Sequence, residues 1–199
     1  MQTAVQWCDW EGKGLEHCSF YSSDDYSILE GALVGTREGH YGAHYFVRAD
    51  NLLRTREVRL DYVGGPRMHI QVDERGNWFD VIGNSTIASL AGCLDVDMGV
   101  TPATNTLAIK RLDLQVHASQ DIVVAYVPLL AQIDGAFLPR PARQRYTCLR
   151  VGQCYRYEGI FRGFAAELEL DEHGLVLDYP ETFRRVRDLK PGSRVNPEN

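Results

Sequence analysis

Two aspartates with a single residue between them, Asp95 and Asp97, open the densest run of polar chemistry in the chain, "CLDVDMGVTPATNTLAIKR", which continues through Thr101-Pro102, Thr104-Asn105-Thr106 and Lys110-Arg111. In an extended strand the two carboxylates share a face about 6.6 Å apart, at ~3.3 Å per residue. Carboxyl pairs at roughly 5 to 9.5 Å flank the scissile bond in glycoside hydrolases, but they approach it from opposite sides, whereas neighbours on one strand face the same way. A hard cation would accept these oxygens, yet calcium takes about six to eight of them, and the D-x-[DN]-x-[DN]-G spacing is not present. A third use is a wall of acceptors, in which the aspartates and Asn105 meet sugar hydroxyls while Lys110 and Arg111 balance the charge. A fourth needs no ligand: Thr101-Pro102 suits a helix N-cap and first turn, the Thr-Asn-Thr residues bond local backbone, and Asp97 pairs with Arg111 across a bend.

Other groups offer chemistry singly. Glu16 and His17 stand together in "GLEHCSF" at the start of a strand, the residue types of a general acid and base. In "RQRYTCL", Gln144 and Tyr146 share a face and would hydrogen-bond into a cavity or to a local partner. Trp7, Trp10 and Trp78 suit stacking on sugar rings or packing in a core. The chain contains no Gly-rich phosphate loop, G-x-S-x-G elbow or H-E-x-x-H. No catalytic residue, metal ligand set or cofactor site is therefore assigned.

The elements that must position these groups are mostly strands. Period-two alternation puts Tyr41, Ala43, Tyr45, Val47 and Ala49 on one face, then Val58, Leu60 and Tyr62, then Met68, Ile70 and Val72. It recurs at Leu112, Leu114 and Val116 and at Phe164, Ala166, Leu168 and Leu170, with turn signals at 37–40, 63–66, 73–77 and 171–174. "DIVVAYV", from Asp121 to Val127, is apolar on both faces and predicts a strand covered on both sides. Helices are expected only at "STIASLAG", Ser85 to Gly92, and at "PETFRRVRDL", where Pro180 suits a helix start. The expectation is a mainly β fold: a single long antiparallel sheet curled into a β-roll or incomplete barrel, with one or two short helices. Such a sheet hides its apolar face by closing on itself or rolling around a helix, and its interior is either filled or hollow.

Composition narrows the partners. The 199 residues suit one domain, drawn over 1–187 with a flexible tail at 188–199. A formal charge of −6 has the wrong sign for neutralising phosphates, so nucleic acid is not an expected partner. The N-terminus lacks a signal-peptide pattern and no apolar run approaches the ~20 residues of a membrane span, which gives a cytoplasmic expectation. Five scattered cysteines, Cys8, Cys18, Cys93, Cys148 and Cys154, fit free thiols in a reducing compartment.

The order of "GLEHC", "GCLDVDMGVTPATNTLAIKRL", "VAYV", "QRYT", "YRYE" and "GFAAELELDEHGLVLDYP" resembles the bacterial family called putative glycolipid-binding, formerly a domain of unknown function. The resemblance runs from about Trp7 to Val186 and is most specific at Leu-Asp-Val-Asp, Thr-Pro and Thr-Asn-Thr-Leu. It implies a spiral β-roll similar to bacterial lipoprotein carriers and, by fold analogy, binding of a glycolipid. The matching motif residues are Glu16, His17, Cys18, Asp95, Asp97, Thr101, Pro102, Thr104, Asn105, Thr106, Leu107, Arg111, Gln144 and Tyr146. Ala108 stands where the family often carries proline, which leaves the local backbone less rigid.

The expected function is non-catalytic binding of a lipid-like or glycolipid small molecule within the rolled sheet. Its ligand-binding residues are Glu16, His17, Asp95, Asp97, Thr104, Asn105, Arg111, Gln144 and Tyr146. The alternatives are a hydrolase or isomerase acting on a sugar or lipid derivative, with Glu16, His17 or Asp95 as acid and base, and a protein-interaction module that uses an exposed sheet edge.

Overall fold

Alternation in the sequence is alternation in burial. Along Tyr41–Asp50 the buried residues are Tyr41, Ala43, Tyr45, Val47 and Ala49, and along Arg67–Val72 they are Met68, Ile70 and Val72. The computed structural model describes residues 1–161 and 163–186, so the tail at 188–199 lies outside the described residues. In chain order the elements are β1 (Gln2–Asp9), β2 (Leu15–Ser22), β3 (Tyr26–Gly35), β4 (Tyr41–Asp50), β5 (Thr55–Tyr62), β6 (Arg67–Val72), β7 (Trp78–Asp80), β8 (Ser85–Thr86), β9 (Asp95–Met98), α1 (Asn105–Leu112), β10 (Ser119–Val127), β11 (Arg140–Arg150), β12 (Cys154–Gly159), β13 (Phe164–Glu169), β14 (Asp178–Tyr179) and β15 (Phe183–Arg185).

The fold is mainly β, as expected, with a large antiparallel sheet, a second curled sheet and one helix. The strands divide between a ten-stranded sheet, ordered β14-β15-β1-β2-β3-β4-β5-β6-β7-β8, and a five-stranded sheet, ordered β13-β12-β11-β10-β9. Neighbours are antiparallel except β9 and β10, which run parallel. The inward side chains of the large sheet, among them Trp7, Phe20, Tyr45, Leu60 and Trp78, meet Val96 and Met98 of β9, Leu107 of α1 and Val127 of β10 in one core. The opposite face of β10 presents Val124 and Tyr126 to a second core, with Ile109 of α1, Tyr146 of β11 and Tyr157 of β12. Ala125, Tyr126 and Val127 are thus covered on both faces as the sequence predicts, whereas Val123 remains 44% exposed. The concave side of the large sheet is filled by side chains.

Three local expectations are corrected. Leu112, Leu114 and Val116 do not form a strand: Leu112 ends α1, and Asp113 closes it in the left-handed conformation at φ 44°. Their short alternation also fits a helix end followed by a turn. As far as Val186 the segment after Pro180 is not helical, and its remainder lies outside the described residues: Phe183–Arg185 is β15, held by antiparallel pairing with Trp7, Cys8 and Asp9. Tertiary pairing overrides the helical pattern there. "STIASLAG" yields strand β8 and a single 3-10 turn at Ala88–Leu90. No helix among the described residues is long and apolar enough to cross a membrane.

Two glycines fix how the large sheet seats its tyrosines. Gly31 of β3 lies opposite Tyr45 of β4, and Gly35 opposite Tyr41. A Cβ at Gly31 would stand 2.5 Å from the Tyr45 ring, so the ring lies flat over the missing side chain. Gly31→Ala is therefore expected to lower unfolding free energy by about 1–3 kcal/mol through overpacking, as measured by urea titration. Gly42→Ala should cost less, because the nearest atom to a Cβ there is the Val63 side chain at 3.2 Å.

Candidate functional site

The polar run at 95–106 is buried between the two sheets, so each of its polar groups needs a partner within the protein. Asp95 is 3% exposed and takes a two-pronged bond from Arg111 of α1, Nε to Oδ1 at 2.7 Å and Nη2 to Oδ2 at 2.7 Å. Burial lifts the Asp95 carboxyl above its ordinary range, and the Arg111 guanidinium opposes that rise. Asp97, on the same face, accepts from Gln144 Nε2 at 2.6 Å. It is thus Asp95, not Asp97, that pairs with Arg111. Asn105 Nδ2 donates to the Pro102 carbonyl at 3.1 Å while its Oδ1 accepts from the Tyr146 hydroxyl at 2.8 Å. Thr104 Oγ1 accepts from the Met98 amide at 3.3 Å. Asp95, Thr104, Asn105 and Tyr146 therefore brace β9 and α1 against β11.

Glu16 and His17 separate. Alternation along β2 turns His17 to the exposed outer face and Glu16 to the interior, so the two do not meet in one acid-base site. Glu16 Oε1 accepts from the Tyr45 hydroxyl at 2.6 Å and the Thr101 hydroxyl at 2.6 Å. Its Oε2 is buried without a hydrogen bond. Burial pushes this carboxyl up to about 7, against the lowering effect of the two hydroxyls.

Where the sheets meet, a cleft of about 330 Å³ opens. Its polar groups include Arg37, Asp97, Thr101, Glu181 and Thr182, and its rings are Tyr126, Tyr157, Phe161, Phe164, Tyr179 and Phe183. Arg37 is fixed by an Nη1 bond to the Gly99 carbonyl at 2.7 Å and lies 4.9 Å from the centre of the Phe183 ring. Tyr157 stands edge-on to Tyr146 and Tyr179, and burial raises its phenol above the ordinary range. Larger hollows lie elsewhere, one of about 630 Å³ around Arg48, Arg56 and Asp73. There Arg56 is already bonded to Asp50 and Arg48 lies 3.7 Å from Glu57, so the seam cleft has the better match of rings and oriented polar groups.

Of the nine ligand-binding residues expected from sequence, Asp97 alone is among the residues that line the cleft, with Gln144 holding it and Glu16 standing behind Thr101. Arg37, Tyr126, Tyr157, Tyr179 and Phe183 were not singled out from sequence. Arg37 sits in a segment that reads as a turn, and the rings read as core. Only the approach of two sheets brings them together.

The family described as putative glycolipid-binding matches residues 4–185. The crystal structure of a DUF1089 family protein from Pseudomonas aeruginosa superposes with a TM-score of 0.71 and 32% sequence identity, over 87% of this chain and 92% of that one. No curated protein matches.

Two measurements test this geometry. The Glu16 carboxyl holds a proton in the fold up to about pH 7 but only to about 4.5 when unfolded, so its stabilisation is complete below ~4.5 and is lost as pH rises to ~7. Urea titrations should show stability falling by on the order of 3 kcal/mol across that window, at ~1.36 kcal/mol per pK unit, and Glu16→Gln should flatten the slope. Carboxyls held low in the fold, Asp50 and Glu57 among them, act in the opposite sense only at lower pH. Asp95→Ala, which leaves Arg111 facing an empty partner site, should cost about 3–5 kcal/mol, and the double change Asp95→Leu with Arg111→Met should recover most of it.

Proposed function

The chain belongs to the putative glycolipid-binding family, and from that premise we propose that the seam cleft binds the hydroxylated head of a glycolipid or similar lipid-like molecule, without catalysing its conversion. The observation that carries this reading is the joint presence in one cleft of Asp97, Arg37 and a set of aromatic rings. A sugar offers hydroxyls that donate and accept, and carbon-bound hydrogens that pack on ring faces. Asp97, pinned by Gln144, accepts from hydroxyls, and Arg37 donates. Tyr126, Tyr157 and Phe161 supply apolar faces. A volume of about 330 Å³ is at the small end of ligand pockets, which run from ~300 to 1,000 Å³ and suits a ring-sized head rather than an entire lipid.

The tail has its own route in this reading. Ile160 and Phe161, at 43% and 40% exposed, stand on the turn that leads from β12 to the cleft. An acyl or alkyl chain lying over them gains roughly 25 cal/mol per Å² of apolar surface covered. Since the concave side of the large sheet is filled, the ligand is held at the seam and not swallowed by the roll. Glu16, Asp95, Thr104, Asn105, Gln144 and Tyr146 then shape and fix the wall from behind, while His17 takes no part in the head site. A cytoplasmic setting belongs to the same reading and is supported by the five free cysteines.

Titration with octyl β-glucoside below its micelle concentration, followed by nuclear magnetic resonance shifts, tests the proposal. Shifts should gather on the residues of the cleft, and Asp97→Ala and Tyr157→Ala should each weaken binding about tenfold, equivalent to ~1.4 kcal/mol. Asp113→Ala, outside the cleft lining, should leave the affinity unchanged. Shifts scattered over the surface, together with equal affinity for all variants, would refute a head site at the seam.

A further inference from the structure

Next to the cleft, sharing Arg37 and Phe183 with it, is a chamber of about 20 Å³. That is room for a single water-sized group, since one water needs ~10–15 Å³ by this measure. Trp7, Gly35, Val100 and Phe183 make its walls mostly apolar, and Asp9, Glu16, Thr36, Arg37 and Tyr41 also line it. Glu16 Oε1 is fully engaged by the hydroxyls of Tyr45 and Thr101, but Oε2 has no partner although it is buried. The Tyr41 hydroxyl makes no hydrogen bond among the described residues either, though it is not among the fully buried unpaired atoms. Native proteins rarely bury a carboxyl oxygen unpaired, because the loss of its hydration is not recovered.

We propose that this chamber is a single-oxygen subsite, in which Glu16 Oε2 and the Tyr41 hydroxyl together bind one hydroxyl oxygen, either a water or the hydroxyl of a polyol that reaches in beside Arg37. Both partners fit that chemistry. With Tyr45 and Thr101 donating to Oε1, the acid proton of Glu16 sits on Oε2 and is given to the occupant; in the ionised form Oε2 accepts from it instead. A hydroxyl oxygen both donates and accepts, so it serves either state. An ammonium group would meet the Arg37 cation, and a bare carbonyl has no proton for an ionised Oε2. The ionisable groups around Glu16 are Tyr45 and Tyr41 from β4, Cys18 from β2, and Asp9 and Arg37, which line the chamber. The subsite stands apart from the cleft reading, because it needs no sugar.

The test is a crystal structure of the full chain at a resolution that shows single waters, grown without any polyol, followed by crystals soaked in methyl α-D-glucopyranoside. The expected result is one oxygen peak at about 2.6–3.2 Å from both Glu16 Oε2 and the Tyr41 hydroxyl. In soaked crystals a retained isolated peak identifies water as the occupant, and a peak continuous with the sugar identifies the ligand's hydroxyl. Water in the chamber with no glucoside in the cleft supports the subsite and counts against the cleft reading. Tyr41→Phe, which keeps the ring over Gly35, should lower the occupancy of the peak. A chamber without density in both crystals, or Oε2 turned onto a protein donor, overturns the proposal.

Discussion

A carboxyl group is costly to bury, and the two least exposed among the described residues, Glu16 and Asp95, lie on either side of one polar segment. Everything between the sheets is arranged around that constraint. Asp95 is neutralised by the fork of Arg111 and so fixes α1 against β9. Glu16 is held by one hydroxyl from the large sheet, Tyr45, and one from the segment itself, Thr101. These two anchors determine where the backbone from Met98 to Thr104 runs, and that backbone supplies Gly99 and Thr101 to the cleft.

The same segment separates two different packing problems. On one side the large sheet needs bulk, and Val96, Met98 and Leu107 provide it. On the other the small sheet presents tyrosines, whose hydroxyls must find acceptors once buried. Tyr146 finds Asn105, and Asn105 in turn bonds Pro102, so the aromatic layer is tied to the helix start and not simply stacked on it. Gln144 completes the set by steadying Asp97 at the edge where burial gives way to the cleft. Gln144 and Arg37 are thus each held by a hydrogen bond at the edge of the open seam.

Much of the strand layout was legible in the chain because one face of each of the longer strands β2 to β6 is buried, and burial writes period two into the sequence. Tyr41, Tyr45, Leu60 and Ile70 carry that signal plainly. Helix α1 was not legible: Thr104, Asn105 and Thr106 favour turns locally, and the helix is buried almost all round, so it has no polar stripe to mark its period. The strand β15 was hidden for another reason, since Pro180 and the arginines that follow suit a helix until β1 offers a pairing edge.

What the sequence by itself determined is the family pattern, the β class and the importance of the 95–111 run, because each of these is written in local spacing. What only the tertiary structure decided is which polar groups are used up and which remain near an opening. Asp95 and Asp97 are equivalent two residues apart on a strand, and they become a buried strut and a cleft wall because Arg111 reaches one and Gln144 the other. Glu16 and His17 are adjacent in the chain and end on opposite faces of a sheet. Arg37 becomes part of a site only where Gly99 and Phe183 arrive from distant strands to hold it. Contacts between residues far apart in sequence leave no periodic trace, so they are settled by the packing of one sheet on the other.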